Sequence, residues 1–302
     1  MRALLIVNPQ ATATTARARD VLARALASDL KLDVVETERR GHAADLARQA
    51  VVDDLDVVVA LGGDGTVNEV VNGLVGSTVS FAVVPGGSTN VFARALGLSA
   101  SPVEATSEIL DALRANRRRV INLGQADERY FTFCAGLGID AEVVHEVERR
   151  RRAGRRATPG LYVRSAVRHF YSGCDRKDPA LTLLEPGAEP VAGLFNLVVA
   201  NGRPWTYLGG RMVDPCPDGD FDAGLDVLGL TRLSTYSMLR TVRQILVERA
   251  RVKGRRLVAR HDLDTFTVTS TRPIAVQLDG DYVGEREQVV FRSVPRALAV
   301  VV

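Results

Sequence analysis

The segment "DVVVALGGDGTVNEVVNGL" (56–74) limits the fold more than any other part of the chain. Its first half is almost continuously apolar and β-branched, as expected of a strand buried on both faces of a parallel sheet. Its second half changes to helical spacing, with Val67, Val70, Val71 and Leu74 on one face. Thr66 and Glu69 have the spacing of a capping box, which predicts a helix starting at Thr66. Between strand and helix stand Gly62, Gly63, Asp64 and Gly65. Glycine lets an anion approach the main chain closely, and a helix N-terminus adds partial positive charge. The turn therefore has the make-up of a phosphate cradle. A plain tight turn with a solvated aspartate would read the same way.

The design recurs one strand later. "VSFAVVPGG" (79–87) is a second buried strand, and Ser88, Thr89 and Asn90 lead from it into a helix over 90–98, with Gly97 as its C-terminal cap. Two neighbouring strands then end in glycine turns at one sheet edge, where open α/β sheets bind ligands. Neither turn has the Walker Gly-Lys-Ser/Thr sequence or the Gly-x-Gly-x-x-Gly fingerprint. Asp64 would repel a bare pyrophosphate, but would suit one carrying Mg²⁺.

The rest of the N-terminal 123 residues alternates in the same manner. Strands are expected at 3–8, 32–37 and 56–63, and helices at 18–30, 43–54 and 101–119, the last ending in three arginines. Past residue 123 the period shortens to strand-like segments at 129–135, 180–185, 193–201, 224–230, 265–270 and 274–280, broken by helices near 141–150 and 234–250. The fold class is thus an α/β N-terminal domain with a parallel sheet, plus a β-rich, sandwich-like C-terminal domain. The 302 residues are enough for both.

Global composition excludes more than it selects. The 39 Lys+Arg barely exceed the 36 Asp+Glu, so charge makes no case for nucleic acid. Cys134, Cys174 and Cys216 are too scattered for a disulfide framework or a thiolate zinc site, and suit a reducing cytosol. The opening "MRALLIVNP" reads as a first strand rather than a secretory signal. No apolar run approaches a membrane span, so a soluble protein with only peripheral membrane contact is expected.

"GGDGTVNEVVNG" (62–73), "PGGSTNVFARALGL" (85–98), "GLGIDAEV" (136–143) and "DGD" (279–281), in that order, resemble the bacterial diacylglycerol kinase-like lipid kinases. That group shares a superfamily with sphingosine kinases and NAD kinases. The resemblance implies a nucleotide-binding kinase domain over 1–123, completed by the apolar end at 296–302. It also implies a β-rich lipid-binding domain over 124–295. ATP and Mg²⁺ are the implied cofactors. The implied nucleotide contacts are Asn8, Pro9 and Thr37, then Gly62, Gly63, Asp64, Gly65, Thr66, Asn68 and Glu69, then Ser88 and Asn90. The turn "NPQATA" lacks the usual glycine after Asn-Pro, and Ser88 stands where threonine is usual.

Two acidic motifs depart further. The Asp-Gly-x-x-Asp metal motif of the group reads "DAGLD", which assigns Asp222 and Gly224 to a metal, while Asp218 also satisfies the spacing. The Asp-Gly-Glu of the group reads Asp279-Gly280-Asp281. Asp281 would accept the proton of the attacking hydroxyl beside Asp64 as second catalytic acid, its side chain about 1.5 Å shorter than a glutamate's. Asp-Gly is also an ordinary hairpin turn.

Membrane docking is expected at Arg149, Arg150, Arg151, Arg152, Arg155 and Arg156, since an anionic surface attracts each arginine by about 1 kcal/mol. A solvated helix end would carry the same run. Trp205 and Tyr207 suit a lipid mouth or domain packing equally. His42, His145, His169 and His261 show no metal spacing. The expected activity is phosphorylation of a diacylglycerol-type hydroxyl by a cytoplasmic enzyme at the inner membrane face, with a homodimer left open and no nucleic-acid partner. A kinase of a soluble alcohol such as NAD, or a non-catalytic binding protein, are the alternatives.

Overall fold

A computed structural model describes residues 1–11, 14–152, 158–172, 176–247 and 252–302. Contacts divide the chain into Met1–Leu123 with Pro295–Val302, and Gly124–Val294.

In the first unit, three mostly buried apolar runs form β1 (Arg2–Val7), β3 (Val57–Gly62) and β4 (Ser80–Pro85), and the more exposed β2 (Lys31–Glu36) stands at the edge. They pair in parallel in the order β2-β1-β3-β4. The crossovers are α1 (Ala16–Ala27), α2 (His42–Val52) and α3 (Asp64–Leu74). After β4 come α4 (Val91–Ala95) and α5 (Pro102–Arg114). Local chemistry sets several starts: Thr15 caps α1 through Ala18 N–H, and Ser101 caps α5, where Pro102 opens the helix. Every residue of β3 and β4 is buried, as covering on both faces requires. One core joins Leu5, Leu22, Leu26, Val59, Val84, Ile109 and Val301.

The second unit is antiparallel. Along the chain run β5 (Arg118–Ala126), which begins in the first unit and enters the second at Gly124, then β6 (Arg129–Phe131), β7 (Cys134–Gly138), α6 (Ile139–Arg152), α7 (Pro159–Ser172), β8 (Leu181–Leu184), β9 (Val191–Leu194) and β10 (Asn196–Ala200). There follow β11 (Thr206–Leu208), β12 (Arg211–Val213), β13 (Leu225–Leu230), α8 (Thr235–Ile245), β14 (Leu257–Leu263), β15 (Thr265–Leu278) and β16 (Asp281–Val301). The first half of β15 pairs with β8 and its second half with β7, with a register break between Thr269 and Ile274. The strand thus serves both the β8–β9 side and the β14-β13-β10-β7 side. Phe131, Leu183, Leu197, Leu225, Phe266 and Phe291 form one core drawn from both sides. The end of β16 lies in the first unit, where Val300 pairs in parallel with Phe81.

The sequence reading needs correction at three elements. The helix after Gly63 begins at Asp64, not Thr66. The helix after β4 spans only Val91–Ala95, because Asn90 takes a left-handed φ of 50°. A helix over Pro159–Ser172 was not expected. Of its described side chains only Ser165 and Phe170 are buried, too few to write a helical stripe into the sequence. Part of the helix expected over 234–250 lies outside the described residues; α8 ends at Ile245.

Candidate active site

The parallel register brings the first-unit candidates to one edge. Val7 pairs with Glu36 and Leu61, and Gly62 pairs with Pro85. Asn8, Thr37, Gly62 and Pro85 therefore end the four strands in a row. Asn8 N–H donates to Leu61 O at 3.0 Å, Thr37 N–H to Val7 O at 2.8 Å, and Gly86 N–H to Gly62 O at 2.8 Å. Carboxyl ends of parallel strands are where such sheets bind ligands.

The two glycine turns meet main chain to main chain. A Cβ on Gly87 would lie 2.7 Å from Gly63 Cα, and one on Gly86 would lie 3.0 Å from Gly62 N. A Cβ on Gly62 would strike the Thr66 side chain at 2.7 Å. Any side chain here would push the turns apart, which is why glycine occupies both. Gly63 is the N-cap of α3 and supplies no side-chain cap. The helix start thus keeps the polarity that attracts a phosphate.

Side chains around the edge hold this shape. Asn8 Nδ2 donates to Thr66 Oγ1 at 2.9 Å, and Asn8 Oδ1 accepts from Gln10 N–H, so the Asn8-Pro9 turn is tied to α3. Asp64 is the first residue of α3, and its Oδ1 accepts the Phe92 N–H at 3.1 Å, linking the two turns. Asn90 closes the second turn by exchanging hydrogen bonds with Gly87, both 2.8 Å. Ser88 is exposed at its tip, and Thr37 and Gly65 are half-buried. Asn68 is buried, and its main-chain carbonyl accepts from Asn72 Nδ2 at 2.8 Å. Glu69 makes no capping box with Thr66; its carboxylate accepts from Gly41 N–H at 2.8 Å and Ala43 N–H at 3.2 Å, capping α2.

In the second unit the Asp279-Gly280 pair is a two-residue hairpin turn, with φ of 50° and 82° and Leu278 opposite Asp281. Asp279 is buried and spends its carboxylate on the fold. It accepts from Thr132 N–H and Oγ1, Phe133 N–H and Cys134 N–H at 2.7 to 3.1 Å. Asp281 is more open, its side chain 28% exposed and 3.7 Å from Arg129 Nη2.

Asp140 was not singled out in the sequence, although it lies in the quoted "GLGIDAEV". It accepts from Gln277 Nε2 at 2.8 Å, and its N–H donates to Asn196 Oδ1. Burial pushes its pKa up to about 6, against the lowering effect of Gln277. A Cβ on Gly136 would overlap this carboxylate at 1.9 Å, so the glycine makes its space.

The acidic stretch before β13 is split by burial. Asp214 and Asp226 are buried, while Asp218, Asp220 and Asp222 are exposed. Asp226 accepts from Asp262 N–H and bonds His261 Nδ1, and burial raises its pKa against those partners. The Asp222 N–H donates to Asp220 Oδ1, and the Gly224 N–H donates to Asp262 Oδ1 at 2.6 Å. Among the described residues no three His, Cys, Asp or Glu side chains form a metal-holding group.

The arginine run is only partly described. Arg149 and Arg150 both pair with Glu146. Burial would raise the Glu146 pKa, but Arg150 and Arg149 hold it below the usual carboxylate range. Arg151 is in α6, the Arg152 side chain is outside the described residues, and so are Arg155 and Arg156. The histidines have local roles: His145 stacks on Tyr282, His169 pairs with Glu142, and His42 accepts from Glu38 N–H.

Comparison with known proteins bears on the chain as a whole and on its N-terminal segment. Residues 2–126 match the family described as the diacylglycerol kinase catalytic domain. A diacylglycerol kinase of Bacillus subtilis (strain 168) is 39% identical over 109 residues, 35% of this chain and 35% of that one. The chain thus aligns with about a third of that relative's length. A Pseudomonas putida protein named "Probable lipid kinase YegS-like" is 28% identical over 274 residues, 88% of this chain and 84% of that one. A solved diacylglycerol kinase of Bacillus anthracis str. Sterne superposes with a TM-score of 0.74 at 17% identity, covering 99% and 96% of the two chains. The last likeness establishes the fold. The chain thus resembles lipid kinases of the diacylglycerol kinase type, and the family match falls on residues 2–126.

Proposed function

We propose that the protein is an ATP-dependent lipid kinase that transfers the γ-phosphoryl group to the hydroxyl of diacylglycerol or a related lipid. The observation that carries this reading is the Gly62-Gly63/Gly86-Gly87 contact at the strand ends, inside the segment that matches the kinase catalytic domain. Main-chain N–H groups at the start of α3 bind the phosphates without a side chain in the way. Asn8, Thr66 and Asn90 keep the turns in place, and Ser88 offers an exposed hydroxyl at the tip of the second turn. Asp281 accepts the proton of the substrate hydroxyl as its oxygen bonds to the γ-phosphorus and the bond to ADP breaks.

Mg²⁺ keeps several waters and is commonly held by one or two carboxylates plus substrate phosphates. Asp64, half-buried at the start of α3, fits that need. When bound, the ion neutralises phosphate charge during transfer. Exposed Asp222, with the Gly224 main chain, would hold a further ion only with water completing its shell.

The test is transfer of labelled γ-phosphate from ATP to diacylglycerol in mixed detergent micelles, with NAD as a soluble acceptor in parallel. Labelled phosphatidic acid from the wild type, lost in a folded Asp281→Ala variant, supports the reading. Label on NAD alone, or on neither acceptor, overturns it.

A further inference from the structure

In the second unit, two helices that contain no acids of their own expose apolar and arginine side chains. Along α7, Val163, Val167 and Tyr171 recur every four residues and are exposed, Val167 at 52%. Arg164 and Arg168 lie beside this stripe, and neither Asp nor Glu occurs in 159–172. Helix α8 repeats the pattern: Tyr236 is 73% and Leu239 66% exposed, Arg240 and Arg243 flank them, and 235–245 also lacks acids.

The two helices share one small core, in which Phe170 of α7 meets Leu233 and Met238 at the start of α8. On the other side of α7 a groove of about 590 Å³ is lined by Gly160, Val163, Arg164, Val167, Arg168 and Leu208 of β11. Arg176 adds a cation over the Phe170 and Tyr171 rings, 5.2 and 5.8 Å from their centroids.

We infer that the α7–α8 face, with the β11 edge, docks on an anionic lipid bilayer. Charge decides between a bilayer and a water-exposed face. Arg164, Arg240 and Arg243 have no acidic partner among the described residues, whereas Arg149 and Arg150 in the more basic run share the single carboxylate of Glu146. An unpaired arginine beside exposed aliphatic and tyrosine side chains is the make-up of an interfacial helix: the apolar groups enter the acyl boundary and the guanidiniums meet phosphate. The inference deepens the lipid-kinase reading by placing the bilayer contact on these helices. It rests on that reading only for its biological purpose.

The experiment is flotation of the full chain, without ATP, on vesicles of phosphatidylcholine alone and of phosphatidylcholine with phosphatidylglycerol. The wild type is expected on the anionic vesicles and largely absent from the neutral ones. Loss of two arginines in Arg164→Ala/Arg243→Ala should weaken binding about 30-fold, from roughly 1 kcal/mol per charge. Val167→Asp/Leu239→Asp should weaken it at least as much, while Val103→Asp, on exposed α5, should not change it. All five positions are exposed, so thermal melts should stay close to wild type.

Wild type that ignores anionic vesicles overturns the inference, as does undiminished binding by the aspartate variant. A face that instead joins two copies would show as a dimer by size exclusion that the aspartate variant breaks, with no vesicle binding, and would also overturn it. The micelle assay reports turnover separately. Vesicle binding lost with micelle turnover kept supports the docking face, and turnover absent with vesicle binding intact counts against the kinase reading alone.

Discussion

Asp64 and Asp279 both sit beside glycine in a tight turn after a buried strand, yet the two turns differ in what holds them. In the first unit, glycines fit against glycines and the carboxylate of Asp64 lies half-buried at a helix start. In the second, Asp279 is the buried anchor and its neighbour Asp281 is the accessible acid. Backbone packing shapes one turn, and a carboxylate filled with hydrogen bonds shapes the other. The same residue types therefore divide into support and chemistry differently, and burial separates the roles.

The Asp279/Asp281 pair offers the sharpest test. Asp279→Ala leaves three main-chain N–H groups and the Thr132 hydroxyl without their acceptor. It should cost about 4 kcal/mol of unfolding free energy by urea titration. Asp281→Ala should change stability by less than about 0.5 kcal/mol while lowering kcat about 100-fold or more. Equal stability losses in the two variants would erase the distinction.

Gly87→Ala probes the other turn. Its methyl would face Gly63 Cα at 2.7 Å, a contact with main chain that no rotamer can relieve. A cost of about 2 kcal/mol is expected, with a rise in KM for ATP of about tenfold, because the N–H groups proposed to bind phosphate move with the turn. An unchanged KM in a folded variant would detach the glycine contact from nucleotide binding.

Much of this organisation could be read before the structure because it is local. The apolar runs of β3 and β4 and the glycines after them write the parallel sheet and its turns directly into the chain. Long-range partners leave no such mark. Glu69 reaches back 28 residues to cap α2, and its spacing to Thr66 suggested a nearer partner. Asp140 is held by Gln277, 137 residues away, and only the structure joins its carboxyl to the gap at Gly136. Helix α7 turns much of its apolar surface outward, so periodicity could not separate it from its basic surroundings.

Asp140 extends the comparison to pH. Its folded pKa of about 6 lies above the ordinary carboxyl value of 3.8. Between those values the folded protein keeps a proton that the unfolded chain has released, so this group makes stability fall as pH rises through that window and level off above it. Asp140→Asn keeps an oxygen acceptor for Gln277 and removes the titration. Relative to wild type it should gain about 2 kcal/mol on going from pH 4 to pH 8 in urea melts. A gain that does not change with pH would mean that the carboxyl is not enclosed in solution.

Glu69→Gln gives the smallest expected effect and the finest distinction. The motif resemblance assigns Glu69 to the nucleotide, whereas its carboxylate accepts the Gly41 and Ala43 N–H groups at the start of α2. Glutamine keeps one oxygen acceptor but loses the negative charge at a helix N-terminus. A loss of about 0.5 to 1 kcal/mol in stability is expected, with KM for ATP within about threefold of wild type. If KM rises tenfold while the melting curve stays put, Glu69 serves the nucleotide after all. The first turn would then depend on an acid for binding as well as on its glycines, and the contrast with the Asp279 turn would narrow to which acid is buried.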